Sequence, residues 1–275
     1  MQVSVATANF YFKPFEQALE IIAEAGFRAM ELDLFWTRKQ WAVAQHLRDV
    51  PIPRMIRRVE RSGLRISSIH DGGGVLEDKE SAAGFINPIL DGCLNEMGYA
   101  PDCLVFHSPH IEGRPEMEWW EGISSRIVCS LEKYRKACSF ITIENMPVFD
   151  GYFVPLVTPE ALRSFVIQND LAVTLDTTHY AQIGTDIVEA ARVLGSSVKT
   201  IHLSDFRAGK SHVFIGEGEL DLAGFFDVID RRSLHAVTLE SSFSTMAQPD
   251  QEMDSRQLIG RLTEARARLE HLIAV

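Results

Sequence analysis

The chain has few cysteines, and none of them is arranged for a metal-binding knuckle or a redox pair. The four are Cys93, Cys103, Cys129 and Cys138, and no two of them form a C-x-x-C motif. Four cysteines in 275 residues are also too few for a small scaffold held together by disulfides. We therefore expect a reduced protein, located in the cytoplasm.

Long apolar runs and an excess of positive charge are also missing. No stretch approaches the ~20 apolar residues of a membrane-spanning helix, so no membrane is expected as a partner. The first residues, 1–6, lack the basic start and apolar run of a signal peptide. With 27 Lys and Arg against 38 Asp and Glu, the formal net charge is −11. This balance disfavours nucleic acid as a partner, because binding it requires clustered positive charge.

What the sequence does contain is a repeated alternation of short apolar segments and amphipathic ones. Eight strands are predicted, beginning near Val3, Ala29, Leu64, Cys103, Ile141, Ala172, Thr200 and Ala236. Runs such as 172–175 (AVTL) are continuously apolar, which is typical of parallel strands buried on both faces. The spacing between strands suits one helix and two loops.

Helix signals lie between the predicted strands. Phe15, Ala18, Leu19 and Ile22 fall on one helical face, and Gly26 provides a stop signal before the second strand. Thr158 followed by Pro159 is typical of a helix N-terminus, and Gly195 marks a helix end before the seventh strand. Eight such units without a linker predict an α/β fold, a single (β/α)₈ TIM barrel spanning residues 1–275 as one domain.

Titratable residues end six consecutive predicted strands. The third to eighth strands end in, or are directly followed by, His70, His107, Glu144, Asp176, His202 and Glu240. Two further histidines, His179 and His212, come shortly after the sixth and seventh strands. Because the carboxyl ends of barrel strands meet on one face, these side chains are expected to converge there.

Converging carboxylates and imidazoles need a positive charge among them. Three carboxylates (Glu144, Asp176, Glu240) and the His202 imidazole would make a mixed oxygen and nitrogen site suited to Mn²⁺, Mg²⁺, Co²⁺ or Zn²⁺. Each residue taken singly has a structural alternative, since a strand-end aspartate can cap a helix and a core histidine can be satisfied by packing. The set as a whole favours one divalent metal as cofactor.

The order of these motifs resembles a known superfamily. The segments IHD (69–71), FHSP (106–109), IEN (143–145), LDTTH (175–179), IHLSD (201–205), IGEGE (215–219) and LES (239–241) are similar to the xylose isomerase-like TIM barrels. That superfamily joins sugar isomerases and epimerases to abasic-site endonucleases of the endonuclease IV type. The similarity extends over nearly the whole chain, but its motifs do not specify one reaction.

The resemblance implies roles for individual residues. Glu144, Asp176, His202 and Glu240 correspond to shared metal ligands, and Glu144 and Glu240 also to the acid and base of the epimerase-like members. His179 corresponds to a substrate-contacting or metal-binding histidine. The remaining histidines, His70, His107 and His212, correspond to further metal or substrate contacts, which leaves room for a second Zn²⁺.

One departure bears on the choice between the two branches of the superfamily. The endonuclease pattern has an aspartate two residues before His212, where this chain has Lys210, and a protonated lysine cannot bind a metal. A complete trinuclear cluster is therefore not expected. Asp205 has two open interpretations: it orients a ligand histidine, or it caps the loop that follows it.

The function favoured by the sequence is a metal-dependent sugar isomerase or epimerase. A ketose, sugar phosphate or hydroxy-ketone would lose a carbon-bound proton to a glutamate, through a metal-stabilised enediolate, with His179 polarising a substrate oxygen. Two alternatives stay open: a metal-dependent phosphodiesterase acting on abasic DNA, and a non-catalytic sugar-binding barrel. The expected partner is a small carbohydrate, and assembly into a homo-oligomer is left open.

Overall fold

The strands form a closed parallel barrel. The computed structural model describes residues 1–10, 13–34, 51–76, 82, 84–87, 89–113, 117–242 and 253–274. The eight strands run in the spatial order β1-β8-β7-β6-β5-β4-β3-β2, and β8 pairs with β1 to close the ring. Their bounds are β1 Gln2–Ala6, β2 Ala29–Asp33, β3 Arg65–His70, β4 Cys103–His107, β5 Phe140–Glu144, β6 Ala172–Asp176, β7 Val198–Leu203 and β8 Ala236–Leu239. The (β/α)₈ barrel prediction is confirmed, and every strand begins within two residues of its predicted start.

Helices follow the strands and cover the outside of the barrel. The α-helices are α1 Phe15–Glu24, α2 Ile52–Arg61, α3 Leu90–Glu96, α4 Met117–Leu131, α5 Pro159–Gln168, α6 Thr177–Gln182, α7 Ile187–Leu194, α8 Leu222–Val228 and α9 Ser255–Ala274. Short 3₁₀ turns lie at Thr7–Phe10, Glu132–Tyr134 and Gly195–Ser197. None of the helices within the described ranges is long and apolar enough to cross a membrane.

The local signals in the sequence act as expected. The predicted apolar face of α1 is buried against the barrel. At the start of α5 the Thr158 hydroxyl accepts a hydrogen bond from the backbone N–H of Ala161 at 3.2 Å. Gly195 follows α7 with a φ of +53°, a conformation that glycine adopts at little cost.

Short strands beyond the barrel were not anticipated. A three-stranded sheet combines Val75–Leu76, His110–Glu112 and Tyr152–Phe153, which follow β3, β4 and β5 respectively. A hairpin of Asp205–Arg207 and Lys210–Val213 follows β7. Because all of them extend from the carboxyl ends of barrel strands, they add height to the wall on the face where the predicted site lies.

The barrel interior contains a layer of small polar side chains. Thr174 Oγ1 lies 2.6 Å from both Thr142 Oγ1 and Thr200 Oγ1, so hydroxyls of β5, β6 and β7 are linked in a row. On the adjoining strands β8 and β1, Ser4 Oγ lies 2.8 Å from Thr238 Oγ1. These hydroxyls are fully buried, and their mutual hydrogen bonds replace those they would make with water. We call the five residues Ser4, Thr142, Thr174, Thr200 and Thr238 the hydroxyl layer.

Candidate metal centre and active site

The four predicted ligands meet above the hydroxyl layer. Glu144, Asp176, His202 and Glu240 each offer one ligand atom, and these four atoms all lie within 4.8 Å of one another. The strand pleat explains the convergence, because each residue is two positions beyond an inward-facing threonine on β5 to β8 and therefore faces inward as well. The structure thus places the predicted set at one point.

His202 connects two of the carboxylates. Its Nδ1 lies 3.1 Å from Glu144 Oε1 and 2.8 Å from Glu240 Oε2. The side chains of His202 and Glu144 are almost fully buried, whereas that of Glu240 keeps 14% of its surface exposed. Glu240 is therefore the ligand candidate that a molecule entering from solvent reaches most easily.

The two carboxylate oxygens of Asp176 have different surroundings. Oδ1 caps α6 by accepting hydrogen bonds from the backbone N–H of His179 at 2.7 Å and the Thr178 hydroxyl at 3.1 Å. Oδ2 is buried, and none of the described residues donates a hydrogen bond to it. The Asn145 amide fixes the Asp176 backbone, donating to its carbonyl at 3.0 Å and accepting from its N–H at 2.8 Å. A buried acceptor held rigidly without a donor fits a cation ligand.

Glu144 is the centre of the histidine cluster. Its Oε1 lies 3.3 Å from His179 Nδ1, and its Oε2 lies 3.1 Å from His70 Nε2 and 3.6 Å from His107 Nε2. His107 Nδ1 is 3.0 Å from the Gly73 carbonyl, which turns its Nε2 towards the carboxylate. All three histidines were predicted to line the site, and the structure brings them to it.

The ionisable groups of this cluster strongly shift one another's pKa values. Burial alone would raise the pKa of the Glu144 carboxyl, but the imidazoles of His202 and His70 outweigh it and hold that pKa well below its usual range. Burial likewise opposes the charged form of His179, yet the carboxylates of Asp176 and Glu144 raise its pKa to about 9. The cluster therefore favours ionised carboxylates beside protonated imidazoles, or beside a cation in their place.

His212 lies at the outer edge of the same site. Its Nδ1 is 3.1 Å from the Glu240 carbonyl oxygen and 3.2 Å from Ser204 Oγ. Its backbone has a φ of +55°, a strained conformation for a non-glycine residue. Asp176, His179 and His212 form a second group of ligand atoms within 4.8 Å, and His70, His107 and Glu144 form a third.

Asp205 and Lys210 both lie in the segment that follows β7. Asp205 accepts hydrogen bonds from the backbone N–H groups of Phe206, Gly216, Gly218 and Leu220, at 2.9 to 3.1 Å. Its carboxylate therefore organises the loop after β7, which is the capping interpretation of this residue. In the described part of the chain no hydrogen bond joins Asp205 to a ligand histidine. Lys210 is exposed on the hairpin of that loop.

Two carboxylates of the site, both on β2, were not predicted from the sequence. Glu31 Oε1 lies 3.0 Å from His202 Nε2, and Asp33 Oδ1 lies 3.1 Å from His70 Nδ1. Their side chains are 0% and 4% exposed. The signal was present, because Glu31 and Asp33 alternate with apolar residues in the same way as Thr142 and Glu144 do on β5.

The fold and the site together define a class of protein. It is a TIM barrel with a buried cluster of carboxylates and imidazoles at the carboxyl ends of its strands. The family model of xylose isomerase-like TIM barrels matches residues 19–264, and the chain belongs to that family. The resemblance predicted from the motifs is confirmed. Curated protein sequences give no significant match to the chain.

Solved structures of known proteins share the fold at low identity. An L-ribulose 3-epimerase is 18% identical, with a TM-score of 0.74 and coverage of 99% of this chain and 94% of the other. A 3-keto-D-glucoside 4-epimerase from E. coli is 14% identical, with a TM-score of 0.69 and coverage of 97% and 99%. A probable 3-DHS dehydratase from Bacillus anthracis is 17% identical, with a TM-score of 0.64 and coverage of 95% and 97%.

Proposed function

We propose that this protein is a divalent-metal-dependent epimerase or isomerase acting on a ketose or a related keto-sugar. The main support for the proposal is the convergence of Glu144, Asp176, His202 and Glu240. In addition, Asp176 Oδ2 is buried and accepts no hydrogen bond from the described residues. Two of the similar structures are named as sugar epimerases, which supports the same class of substrate. The ion is Mn²⁺, Mg²⁺, Co²⁺ or Zn²⁺, since the donor set mixes hard oxygen with nitrogen.

The two glutamates are the proposed acid and base. A cation bound by the four side chains would supply Lewis acidity towards a carbonyl and a neighbouring hydroxyl, making the carbon-bound proton easier to remove. Glu144 and Glu240 extend from β5 and β8, which are separated in the barrel by β6 and β7. Their carboxylates therefore approach a carbon between them from different directions. One removes the proton, and the other delivers a proton to the opposite face or to the adjacent carbon.

His179 is the proposed donor to the substrate oxygen. Its Nδ1 lies 2.9 Å from the Asn145 carbonyl, which fixes the ring and leaves Nε2 to face the substrate. The surrounding carboxylates of Asp176 and Glu144 raise the pKa of His179 to about 9, which favours a protonated ring that can donate from Nε2. A donor held in this position stabilises negative charge that develops on the oxygen during proton removal.

Solvent exchange tests the proposal directly. The Mn²⁺-loaded protein would be incubated in deuterated water with a panel of ketoses, ketose phosphates and keto-glycosides, and each sugar analysed by NMR and mass spectrometry. We expect one deuterium to enter carbon-bound positions of at least one sugar, together with formation of its epimer or isomer. Binding of a sugar without any deuterium uptake would instead support a non-catalytic sugar-binding barrel.

The phosphodiesterase alternative has one observation in its favour. Two further groups of ligand atoms lie beside the main site, as binding of more than one ion would require. One group is His70, His107 and Glu144, and the other is Asp176, His179 and His212. Against it stand the exposed Lys210 and the net charge of −11. Cleavage of an oligonucleotide with one abasic site, by protein carrying three Zn²⁺ per chain, would favour this alternative over sugar chemistry.

A further inference from the structure

We propose that Glu31 is a positioning residue that holds the His202 imidazole for cation binding. Glu31 is the third residue of β2 and is completely buried. Its Oε1 lies 3.0 Å from His202 Nε2, a buried contact between two atoms that have no regular hydrogen bond within the described residues. Nothing in the reaction proposed above uses this carboxylate.

The two ring nitrogens of His202 face different partners. Nδ1 lies beside the carboxylates of Glu144 and Glu240, whereas Nε2 lies beside that of Glu31. When Nε2 donates its proton to a carboxylate, the lone pair of a neutral imidazole is on Nδ1, in the direction of the ligand cluster. A carboxylate behind a metal-binding histidine fixes both the tautomer and the ring orientation, and it increases the basicity of the ligating nitrogen.

Glu31 is itself held in place by the neighbouring strand. Its second oxygen, Oε2, accepts a hydrogen bond from Ser68 Oγ at 2.8 Å, on the neighbouring strand β3. A fully buried carboxylate is costly unless it is paired, and here one oxygen is bound by a hydroxyl while the other faces an imidazole. A continuous chain of side-chain contacts therefore leads from Ser68 through Glu31 to His202 and the ligand cluster.

A second cation beside Glu31 is the competing interpretation. Ligand atoms of Glu31, His70 and His202 lie within 4.8 Å of one another, and Glu31 Oε1 is 3.6 Å from His70 Nδ1. His70 Nδ1, however, is closer to Asp33 Oδ1, at 3.1 Å. Each of the two imidazoles thus has its own β2 carboxylate, which makes Asp33 a matched control for Glu31 on the same strand.

The experiment compares Glu31→Gln with Asp33→Asn by calorimetric titration of the purified, cation-free full chain with Mn²⁺. This inference rests on the proposed function, since it requires the wild-type chain to bind the ion. We expect Glu31→Gln to weaken Mn²⁺ binding about 10- to 100-fold, the usual effect of losing such a partner, with unchanged stoichiometry. Asp33→Asn should weaken binding much less, because Asp33 contacts His70 and not His202. Circular dichroism of the cation-free proteins checks that both variants fold.

A spectroscopic measurement separates positioning from a general structural role. In Mg²⁺-loaded protein with ¹⁵N-labelled histidine, we expect His202 to carry its proton on Nε2 and none on Nδ1. Glu31→Gln should shift the Nε2–H resonance, whereas Asp33→Asn should leave it in place. If Glu31→Gln does not fold, Ser68→Ala removes only the hydroxyl behind Glu31 and should give a smaller weakening in the same direction.

Several outcomes would overturn the inference. Unchanged Mn²⁺ affinity in a folded Glu31→Gln or Ser68→Ala variant would do so, as would equal weakening by Asp33→Asn. Loss of one of two bound ions in Glu31→Gln would assign Glu31 as a ligand instead. A wild-type chain that binds no divalent cation would overturn this inference and the metal dependence of the proposed function together, whereas the other outcomes leave the latter intact.

Discussion

The barrel interior holds two polar layers that differ in how their hydrogen bonds are satisfied. In the hydroxyl layer every side chain has a hydroxyl partner, as in the row formed by Thr142, Thr174 and Thr200. One step further along the same strands, Glu144, Asp176, His202 and Glu240 bring several acceptors together without enough donors. The first layer is satisfied within the protein, whereas in the second the buried Asp176 Oδ2 has no donor among the described residues, and the proposed cation would take that place.

Both layers arise from one sequence pattern. On β5 to β8 an inward-facing threonine is followed two residues later by Glu144, Asp176, His202 or Glu240. Small neutral side chains fill the narrow interior and satisfy one another, while larger ionisable ones stand where the barrel opens. The position along the strand, and not burial alone, therefore separates structural polar residues from functional ones.

The largest effect should come from Glu240→Gln. We expect deuterium exchange into the sugar to fall by about 10²- to 10⁴-fold, because a positioned acid or base is lost. Most of the Mn²⁺ affinity should remain, since the amide oxygen still offers a ligand atom. The measurements are exchange by NMR and Mn²⁺ affinity by calorimetry.

Thr238→Val is the matched control on the same strand. Thr238 lies two residues before Glu240, and among the described residues its hydroxyl bonds only to Ser4 Oγ, at 2.8 Å. We expect this variant to keep wild-type exchange. An active Glu240→Gln enzyme would refute the acid–base assignment, and an inactive, folded Thr238→Val would refute the distinction between the layers.

Removal of the cation should have the next largest effect, on stability. A ligand that binds only the folded state at 100 times its dissociation constant adds about 2.7 kcal/mol to the free energy of unfolding. We expect chelation to lower the melting temperature of the wild-type protein accordingly. Asp176→Ala should abolish this dependence on the cation, because it removes the buried acceptor oxygen. A melting temperature that is insensitive to Mn²⁺ in the wild type would contradict a shared cation site.

The smallest effect is expected from Thr174→Val in the hydroxyl layer. The substitution removes two hydrogen bonds and leaves the buried hydroxyls of Thr142 and Thr200 with fewer partners. We expect a loss of about 1–3 kcal/mol in the free energy of unfolding, measured by urea denaturation. Mn²⁺ affinity should not change. A large loss of affinity in a variant of normal stability would mean that the two layers are coupled.

The fold was accessible from the sequence because its signals are local. Buried parallel strands give continuous apolar runs, and signals such as Thr158 before Pro159 mark a helix start. The candidate ligands were accessible for the same reason, since they stand at strand ends. Metal binding by these ligands stays a prediction.

Other parts of the site depend on contacts between distant segments. Glu31 and His202 are 171 positions apart in the numbering and meet only because β2 and β7 enclose the same interior. The four backbone N–H groups that Asp205 binds come from a loop conformation that no local motif specifies. Side chains at strand ends could be predicted, but the partners behind them required the closed barrel.

Anomalous diffraction from crystals grown with Zn²⁺ would show whether these four side chains share one ion. We expect a peak bounded by Glu144, Asp176, His202 and Glu240, at about 2.0–2.2 Å from their ligand atoms. This expectation is contradicted by a map without a peak between these four side chains, or by side chains that point too far apart to share one ion.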